Sequence, residues 1–185
     1  MKEKVEKLAI FDLDDTIYDG NSHFALLNYY YNTCMFTSIF MKVIGKICPS
    51  FHMKICYWAY NRIPHNVRRN FVLPYRQRII KLMNEKRHEG YHLVIVSNAP
   101  EELLQAASRR LNVLAVRAEF GKKSKVVKER YCYQKVFVCT DNKTDIDLLQ
   151  LSDEAVITCK RKNREYFLKR LKGKNYQFID EGDEI

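Results

Sequence analysis

The chain is long enough to bury a core of its own, and its composition excludes a disordered or fibrous protein. It has 185 residues, of which 46% are hydrophobic. Its net charge of +10 favours an anionic partner without identifying one. Six cysteines without a CxxC pair, and a short charged lead in place of a signal peptide, predict reduced thiols and a cytoplasmic location.

The first predicted element is a strand that runs into acidic residues. The four apolar residues from Leu8 to Phe11 lead into Asp12, Asp14 and Asp15. This pattern is typical of a buried parallel strand that ends at the carboxyl edge of its sheet, where open α/β sheets bind ligands. Asp12 and Asp14 share one face while the backbone stays extended, and burying both without a cation is costly. The pair therefore predicts a Mg²⁺ site, although a strand end followed by an ordinary turn is the alternative for this motif alone.

Several helices are predicted before the next strand. They begin near His23, continue through an apolar stripe from Met35 to Ile47 and resume after Pro49. From Gly20 to Asn84 there are nine Lys or Arg and no Asp or Glu. We assign residues 19–73 to an inserted helical cap, and residues 1–18 and 74–185 to the core.

The stripe from Met35 to Ile47 has two interpretations. Its apolar residues recur at helical spacing, and a helix buried in the cap's own core is the commoner explanation for such a pattern. The second interpretation is a helix that lies on a membrane, because Lys42 and Lys46 fall inside the stripe and it is too short to span a bilayer. An anionic membrane surface is therefore a candidate partner, which would make the protein cytoplasmic and peripheral to the membrane.

From Tyr91 onward, predicted strands and helices alternate. The strands are 93–97, 113–116, 136–139, 155–158 and 176–179, and the helices are 100–111, 124–131, 144–151 and 162–171. Such alternation predicts an α/β fold with a parallel sheet covered on both faces. We expect the first strand, at Leu8, and the fourth, at Val136, to be neighbours in that sheet.

Polar residues stand at the ends of three of these strands. They are Asp12 and Asp14 after the first strand, Ser97 and Asn98 after the second, and Asp141 after the fourth, with Asp145 four residues further on. One acid at a strand end is common. Three strand ends that carry acid, hydroxyl and acid indicate an enzyme site much more strongly.

In this order the motifs resemble those of the haloacid dehalogenase (HAD) superfamily of aspartyl phosphotransferases. The chain is most similar to the branch with a helical cap between the first two motifs, the phosphoserine phosphatase-like hydrolases of subfamily IB. The resemblance covers nearly the whole chain and implies a HAD-like, Rossmann-like core. Asp15 and Thr140 stand at two positions where that family often has Gly.

The resemblance implies a role for each residue. Asp12 would be the nucleophile and form an aspartyl-phosphate, and Asp14 would protonate the leaving alcohol and then accept a proton from water. Ser97 and Asn98 would bind the phosphate. The Mg²⁺ ligands would be Asp12, Asp141, the main-chain carbonyl of Asp14, and Asp145 directly or through water.

The family also places a lysine before a helix, beside the nucleophile and the phosphate. Three candidates occur together, Lys122, Lys123 and Lys125. We choose Lys123, because Val126 and Val127 then follow where the family's helix commonly buries apolar residues. Lys125 is the second choice, and a solvated basic loop accounts for the others.

The sequence therefore predicts a Mg²⁺-dependent phosphomonoester hydrolase. Its substrate would be a small phosphorylated metabolite or a phospholipid phosphate. Phosphoserine is not expected, because the cap lacks an acidic residue to recognise it. The alternative is a degenerate HAD-fold binding module that holds RNA, a membrane or a protein partner through its basic faces. No specific nucleic-acid signature is recognisable, and retention of all four acids favours the enzyme.

Overall fold

A parallel sheet of six strands forms the centre of the structure, a computed structural model that describes residues 2–180. In chain order the strands of that part are β1 (Glu3–Lys4), β2 (Lys7–Phe11), β3 (His92–Ser97), β4 (Leu114–Arg117), β5 (Tyr131–Cys132), β6 (Lys135–Thr140), β7 (Glu154–Thr158) and β8 (Asn175–Ile179). The order in the main sheet is β4-β3-β2-β6-β7-β8, and β1 pairs with β5 separately. The expected pairing of the first and fourth predicted strands, here β2 and β6, is confirmed.

Helices cover both faces of the sheet and form the insertion. They are α1 (Ser22–Tyr30), α2 (Ile39–Ile47), α3 (Pro49–Asn61), α4 (His65–Asn70), α5 (Gln77–His88), α6 (Glu101–Leu111), α7 (Lys123–Arg130), α8 (Ile146–Leu151) and α9 (Arg161–Arg170). Within residues 2–180, none of them has the length and apolarity needed to cross a bilayer.

Alternation along β2 explains why the sheet is buried on both sides. Leu8 and Ile10 pack in one apolar cluster with residues of α7, α8 and α9. Ala9 and Phe11 point the other way, into a cluster with residues of α5 and α6. Period-two alternation of apolar side chains on a central strand is what a doubly covered parallel sheet requires. The predicted α/β architecture is confirmed.

The inserted helices α1 to α4 have an apolar cluster of their own. It contains Leu26, Leu27, Cys56 and Ile63, and Leu103 of α6 joins it from the core. The insertion therefore packs around its own centre and rests on α6. The boundaries at residues 19 and 73 stay a prediction.

The chain enters and leaves this insertion at one place, which we call the neck (residues 17–19 and 74–76). Tyr18 forms an isolated antiparallel bridge with Tyr75, and their rings stack with centroids 5.5 Å apart. The main-chain N–H of Asp19 donates to the carbonyl of Pro74 at 3.0 Å, and that of Arg76 donates to Ile17 at 2.9 Å. Two hydrogen-bonded segments thus join the insertion to the sheet.

The apolar stripe of the insertion differs from its prediction in two respects. The helix begins at Ile39 rather than near Met35, because the Ser38 side chain caps α2 by accepting from the Met41 N–H at 3.3 Å. The commoner interpretation, burial inside the insertion, is wrong for much of the stripe. Phe36 and Met41 are buried, but other members are exposed, namely Ile39, Phe40, Val43 and Ile47.

A pair of matched substitutions tests the assignment of the core. Leu8→Ala on β2 removes a fully buried side chain and should lower the free energy of unfolding by about 2–5 kcal/mol. Leu114→Ala on the edge strand β4 removes a half-exposed side chain and should change it by less than about 1 kcal/mol. Chemical denaturation measures both, and equal costs would contradict this arrangement of the sheet.

Candidate active site

The carboxyl ends of β2, β3 and β6 meet in the middle of the sheet. Phe11 pairs with Ile95 on β3 and with Cys139 on β6, so the residues that follow each strand lie side by side. They enclose a cavity of about 80 Å³. Six of the seven predicted site residues line it, namely Asp12, Asp14, Ser97, Asn98, Lys123 and Asp141.

A buried lysine joins two of the predicted acids. Lys123 Nζ lies 2.8 Å from Asp12 Oδ2 and 2.7 Å from Asp145 Oδ2. Burial alone would disfavour its charge, but the two carboxylates hold the pKa of Lys123 above its usual value. Of the three candidate lysines, the structure brings Lys123 to the site. Lys122 pairs instead with Glu119, and Lys125 is exposed.

Asp145, the seventh predicted residue, lies behind the cavity. Its Oδ2 accepts from Lys123 and from the hydroxyl of Thr140, each at 2.7 Å. Its Oδ1 is buried and has no hydrogen-bond partner among the described residues. Burial raises the pKa of Asp145 to about 6, and Lys123 opposes that shift.

Asp141 is held by a hydroxyl from the other strand. The Thr16 hydroxyl donates to Asp141 Oδ1 at 3.1 Å and accepts from the Asp141 N–H at 3.0 Å. Burial raises the pKa of Asp141 to about 8, with a further contribution from the charge of Asp12. The hydrogen bond from Thr16 and the charge of Lys123 lower the pKa of Asp141 without cancelling that rise.

Asp14 lies in the tight turn that follows β2. Its Oδ1 accepts from the N–H of Ser22, at the start of α1, at 2.8 Å. Burial raises the pKa of Asp14 to about 7, against the opposing effect of that hydrogen bond. The next residue, Asp15, has φ of 56°, in the left-handed region that Gly adopts freely and Asp tolerates. The backbone of this turn explains how Asp can replace Gly there.

Ser97 and Asn98 occupy the third wall of the cavity, at the end of β3. The Ser97 side chain is buried, and its Oγ accepts from the N–H of Ala99 at 3.3 Å. Asn98 is half-buried and lines the cavity. Both residues therefore share the cavity with the acids that follow β2 and β6.

Thr16 and Thr140 orient acids of the site, although the sequence predicts no role for either residue. Thr140 is fully buried and donates to Asp145, while Thr16 bonds Asp141. The available signal was a hydroxyl next to an acid at a strand end. It does not reveal which distant acid the hydroxyl meets.

The donor set fits Mg²⁺. Four carboxylates line the cavity, Asp12, Asp14, Asp15 and Asp141, and Lys123 is the sole cationic side chain among the described lining residues. The unpartnered Oδ1 of Asp145 adds a buried acceptor nearby. Within residues 2–180, no three Asp, Glu, His or Cys side chains are grouped so that they could hold a metal by themselves. Mg²⁺ binds through one or two carboxylates and keeps several waters, so it does not need such a cage.

Known proteins share this architecture. A family model described as haloacid dehalogenase-like hydrolase matches residues 9–150. No curated protein sequence matches the chain significantly. A structure described as a phospho-aspartyl intermediate analogue of phosphoserine phosphatase covers 88% of this chain and 91% of its own, with a TM-score of 0.62 and 13% identity.

Two further solved structures are similar over nearly their whole length. A phosphoserine phosphohydrolase-like protein from Francisella tularensis covers 92% of this chain and 94% of its own, with a TM-score of 0.58 and 15% identity. A protein of unknown function from Bordetella pertussis Tohama I covers 96% and 99%, with a TM-score of 0.59 and 13% identity. At such identities the likeness establishes a common fold.

The family match spans most of the chain and runs from β2 through α8, which includes every residue that lines the cavity. The parallel sheet and the helical insertion agree with the expected HAD-like core. The predicted family is therefore confirmed, and this chain belongs to the haloacid dehalogenase-like hydrolases.

Proposed function

We propose that the protein is a Mg²⁺-dependent phosphomonoester hydrolase that works through an aspartyl-phosphate on Asp12. The observation that carries this proposal is the contact of Lys123 Nζ with Asp12 Oδ2, at 2.8 Å, at the edge of a small cavity rich in carboxylates. The family match and the likeness to phosphatases support it. They also disfavour the alternative of a binding module without activity.

Asp12 has the environment of a nucleophile. Its Oδ1 accepts from the N–H of Leu13 at 2.8 Å, and its Oδ2 contacts Lys123, so both oxygens are fixed. One oxygen of Asp12 would attack phosphorus as the bond from phosphorus to the alcohol oxygen breaks. The ammonium of Lys123 offsets the charge that the carboxylate and the phosphate bring together.

Asp14 is suited to move the proton. With a pKa of about 7, it is partly protonated near neutral pH. It would give its proton to the departing alcohol oxygen and then take one from the water that attacks the aspartyl-phosphate. The second step releases inorganic phosphate and regenerates the Asp12 carboxylate.

The remaining residues would bind the phosphate and the cation. Ser97 and Asn98 would donate hydrogen bonds to phosphoryl oxygens from the side of β3. Asp12, Asp141 and the main-chain carbonyl of Asp14 would hold Mg²⁺, with Asp145 a ligand directly or through water. When bound, Mg²⁺ neutralises charge on the phosphoryl oxygens and on the crowded carboxylates. The substrate is either a phosphorylated metabolite or a phospholipid phosphate.

Replacement of the nucleophile is the first test. Asp12→Asn keeps the side-chain volume but removes the attacking oxygen, so hydrolysis of para-nitrophenyl phosphate should fall by about three orders of magnitude or more. EDTA should abolish the wild-type rate, and added Mg²⁺ should restore it. Asp19→Asn is a control, because that carboxyl is exposed in the neck. A fully active Asp12→Asn protein would contradict the covalent mechanism.

The two neighbouring lysines serve as controls for the role proposed for Lys123. Lys123→Ala should lower turnover by about 10²–10³-fold, because it removes a fixed cation beside the nucleophile. Lys122→Ala and Lys125→Ala change exposed side chains and should retain nearly full activity. Circular dichroism checks that each variant is folded. If Lys125→Ala lowered turnover more than Lys123→Ala, the assignment of the catalytic role to Lys123 would be wrong.

The crowded acids also predict how stability depends on pH. Burial raises the pKa of Asp14, Asp141 and Asp145 from 3.8 to about 7, 8 and 6. The native state therefore binds more protons than the unfolded state between about pH 4 and pH 8, and these groups make stability fall as pH rises. Thermal unfolding of the metal-free protein should show this fall. Mg²⁺ should stabilise the protein more at about pH 8 than at about pH 5, because it competes with those protons.

Asp141→Asn is the matched variant for this measurement. It removes one of the three titrating groups and keeps an oxygen to accept from Thr16. Its unfolding temperature should depend less on pH and respond less to Mg²⁺. An unchanged response to both would show that Asp141 is not part of the metal site.

A further inference from the structure

Helix α2 presents an apolar face to solvent. Ile39, Phe40, Val43 and Ile47 are 80%, 69%, 46% and 77% exposed. At about 100° of rotation per residue, they lie within one arc of about 100° of the helix circumference. Met41, on the opposite side, is buried in the cluster of the insertion. The described residues therefore cover the side of α2 that carries Met41 and leave its other apolar side exposed to solvent.

The surface around this face is positively charged. Lys42 and Lys46 are exposed on α2 beside the apolar residues. Residues 20–84 contain nine Lys or Arg and no acid. Two copies of this chain that met through α2 would bring like charges together, which is unfavourable. An anionic lipid surface suits both properties, since it accepts apolar side chains below its head groups and attracts lysines.

Behind α2 lies a cavity of about 720 Å³, within the range of small-molecule sites. Its walls are largely apolar and include Phe24, Phe36, Met41 and Met53. Asp15 and Asn21 line both this cavity and the 80 Å³ cavity of the active site, so the two adjoin.

The basic edge of α2 borders the large cavity. Lys42 and Lys46 line the cavity and are also exposed to solvent. A molecule that entered there from the side of the exposed apolar face would pass two ammonium groups before reaching Asp15 and Asn21. This order of apolar face, cationic rim, apolar cavity and phosphate site suits an amphiphile with a phosphate at one end.

We propose that α2 lies in the surface of an anionic membrane, and that the cavity behind it takes the apolar part of a lipid phosphomonoester whose phosphate reaches Asp12. This rests on the phosphatase function proposed above. Water would replace the lipid alcohol on phosphorus by way of the aspartyl-phosphate. The products are inorganic phosphate, which leaves in water, and a lipid alcohol, which returns to the membrane.

The first experiment measures membrane binding. The protein should sediment with phosphatidylcholine vesicles that contain phosphatidylglycerol, and less with phosphatidylcholine alone. Raising the salt from about 0.1 M to about 1 M shortens the Debye length from about 10 Å to about 3 Å and should weaken binding. The double variant Ile39→Gln/Phe40→Gln should bind about tenfold more weakly or worse, because two apolar side chains no longer enter the lipid.

Leu168→Gln is the matched control for that variant. Leu168 is 49% exposed on α9, inside a second basic run, Lys160 to Lys174, with eight Lys or Arg and one acid. If any exposed apolar residue within a basic surface were enough to bind vesicles, Leu168→Gln would weaken vesicle binding as well. We expect it to bind vesicles like the wild type.

The second experiment measures substrate preference. Dioleoyl phosphatidic acid in mixed vesicles should be hydrolysed with higher kcat/KM than para-nitrophenyl phosphate. Among soluble alkyl phosphates, KM should fall by up to about fourfold for each added methylene until the cavity is filled. Ile39→Gln/Phe40→Gln should lower the ratio of the vesicle rate to the soluble rate, and Leu168→Gln should leave that ratio unchanged.

The outcomes separate this inference from the phosphatase function. An active enzyme that ignores anionic vesicles at low salt, or whose KM does not depend on alkyl length, overturns the lipid assignment and leaves the phosphatase intact. Self-association that depends on Ile39 and Phe40, without vesicle binding, would show that α2 contacts a second copy of the chain. That result also overturns the lipid assignment. Absence of any Asp12-dependent hydrolysis removes the phosphatase function itself.

Discussion

The buried contact of Lys123 with Asp12 and Asp145 is the interaction on which the rest of the site depends. An ammonium ion buried without partners would cost several kcal/mol, and two buried carboxylates without a cation would repel each other. The three groups together make each burial tolerable. The same contact fixes the start of α7 against the ends of β2 and β6. Asp12, the proposed nucleophile, is therefore held in place before any substrate arrives, as electrostatic catalysis requires.

The position of that contact follows from the path of the chain. From β2 the chain passes through the insertion to β3 on one side of the sheet, and later to β6 on the other. Helices α5 and α6 consequently pack on one face, and α7 to α9 on the other. A crevice opens where such connections diverge, at the carboxyl ends of the central strands. Asp12 lies at that point because β2 is the strand where the order reverses.

Much of this arrangement was visible in the sequence because its signals are local. Apolar strands that end in acids predicted the neighbourhood of Asp12 and Asp141, and helix register separated Lys123 from Lys125. The partnership of Thr16 with Asp141 spans 125 residues and has no local signal. The exposure of Phe40 could not be predicted either, because periodicity identifies an apolar face but not what covers it.

The neck has a consequence for how such an enzyme can be rebuilt or diversified. The N–H of Asp19 meets the carbonyl of Pro74 at 3.0 Å, so the two ends of the insertion are already adjacent. Antiparallel segments in that relation can be closed by a turn of about two residues. The helical insertion is therefore exchangeable in principle without displacing β2 or α5. Lineages could replace the insertion while leaving the residues proposed to transfer the phosphoryl group where they stand.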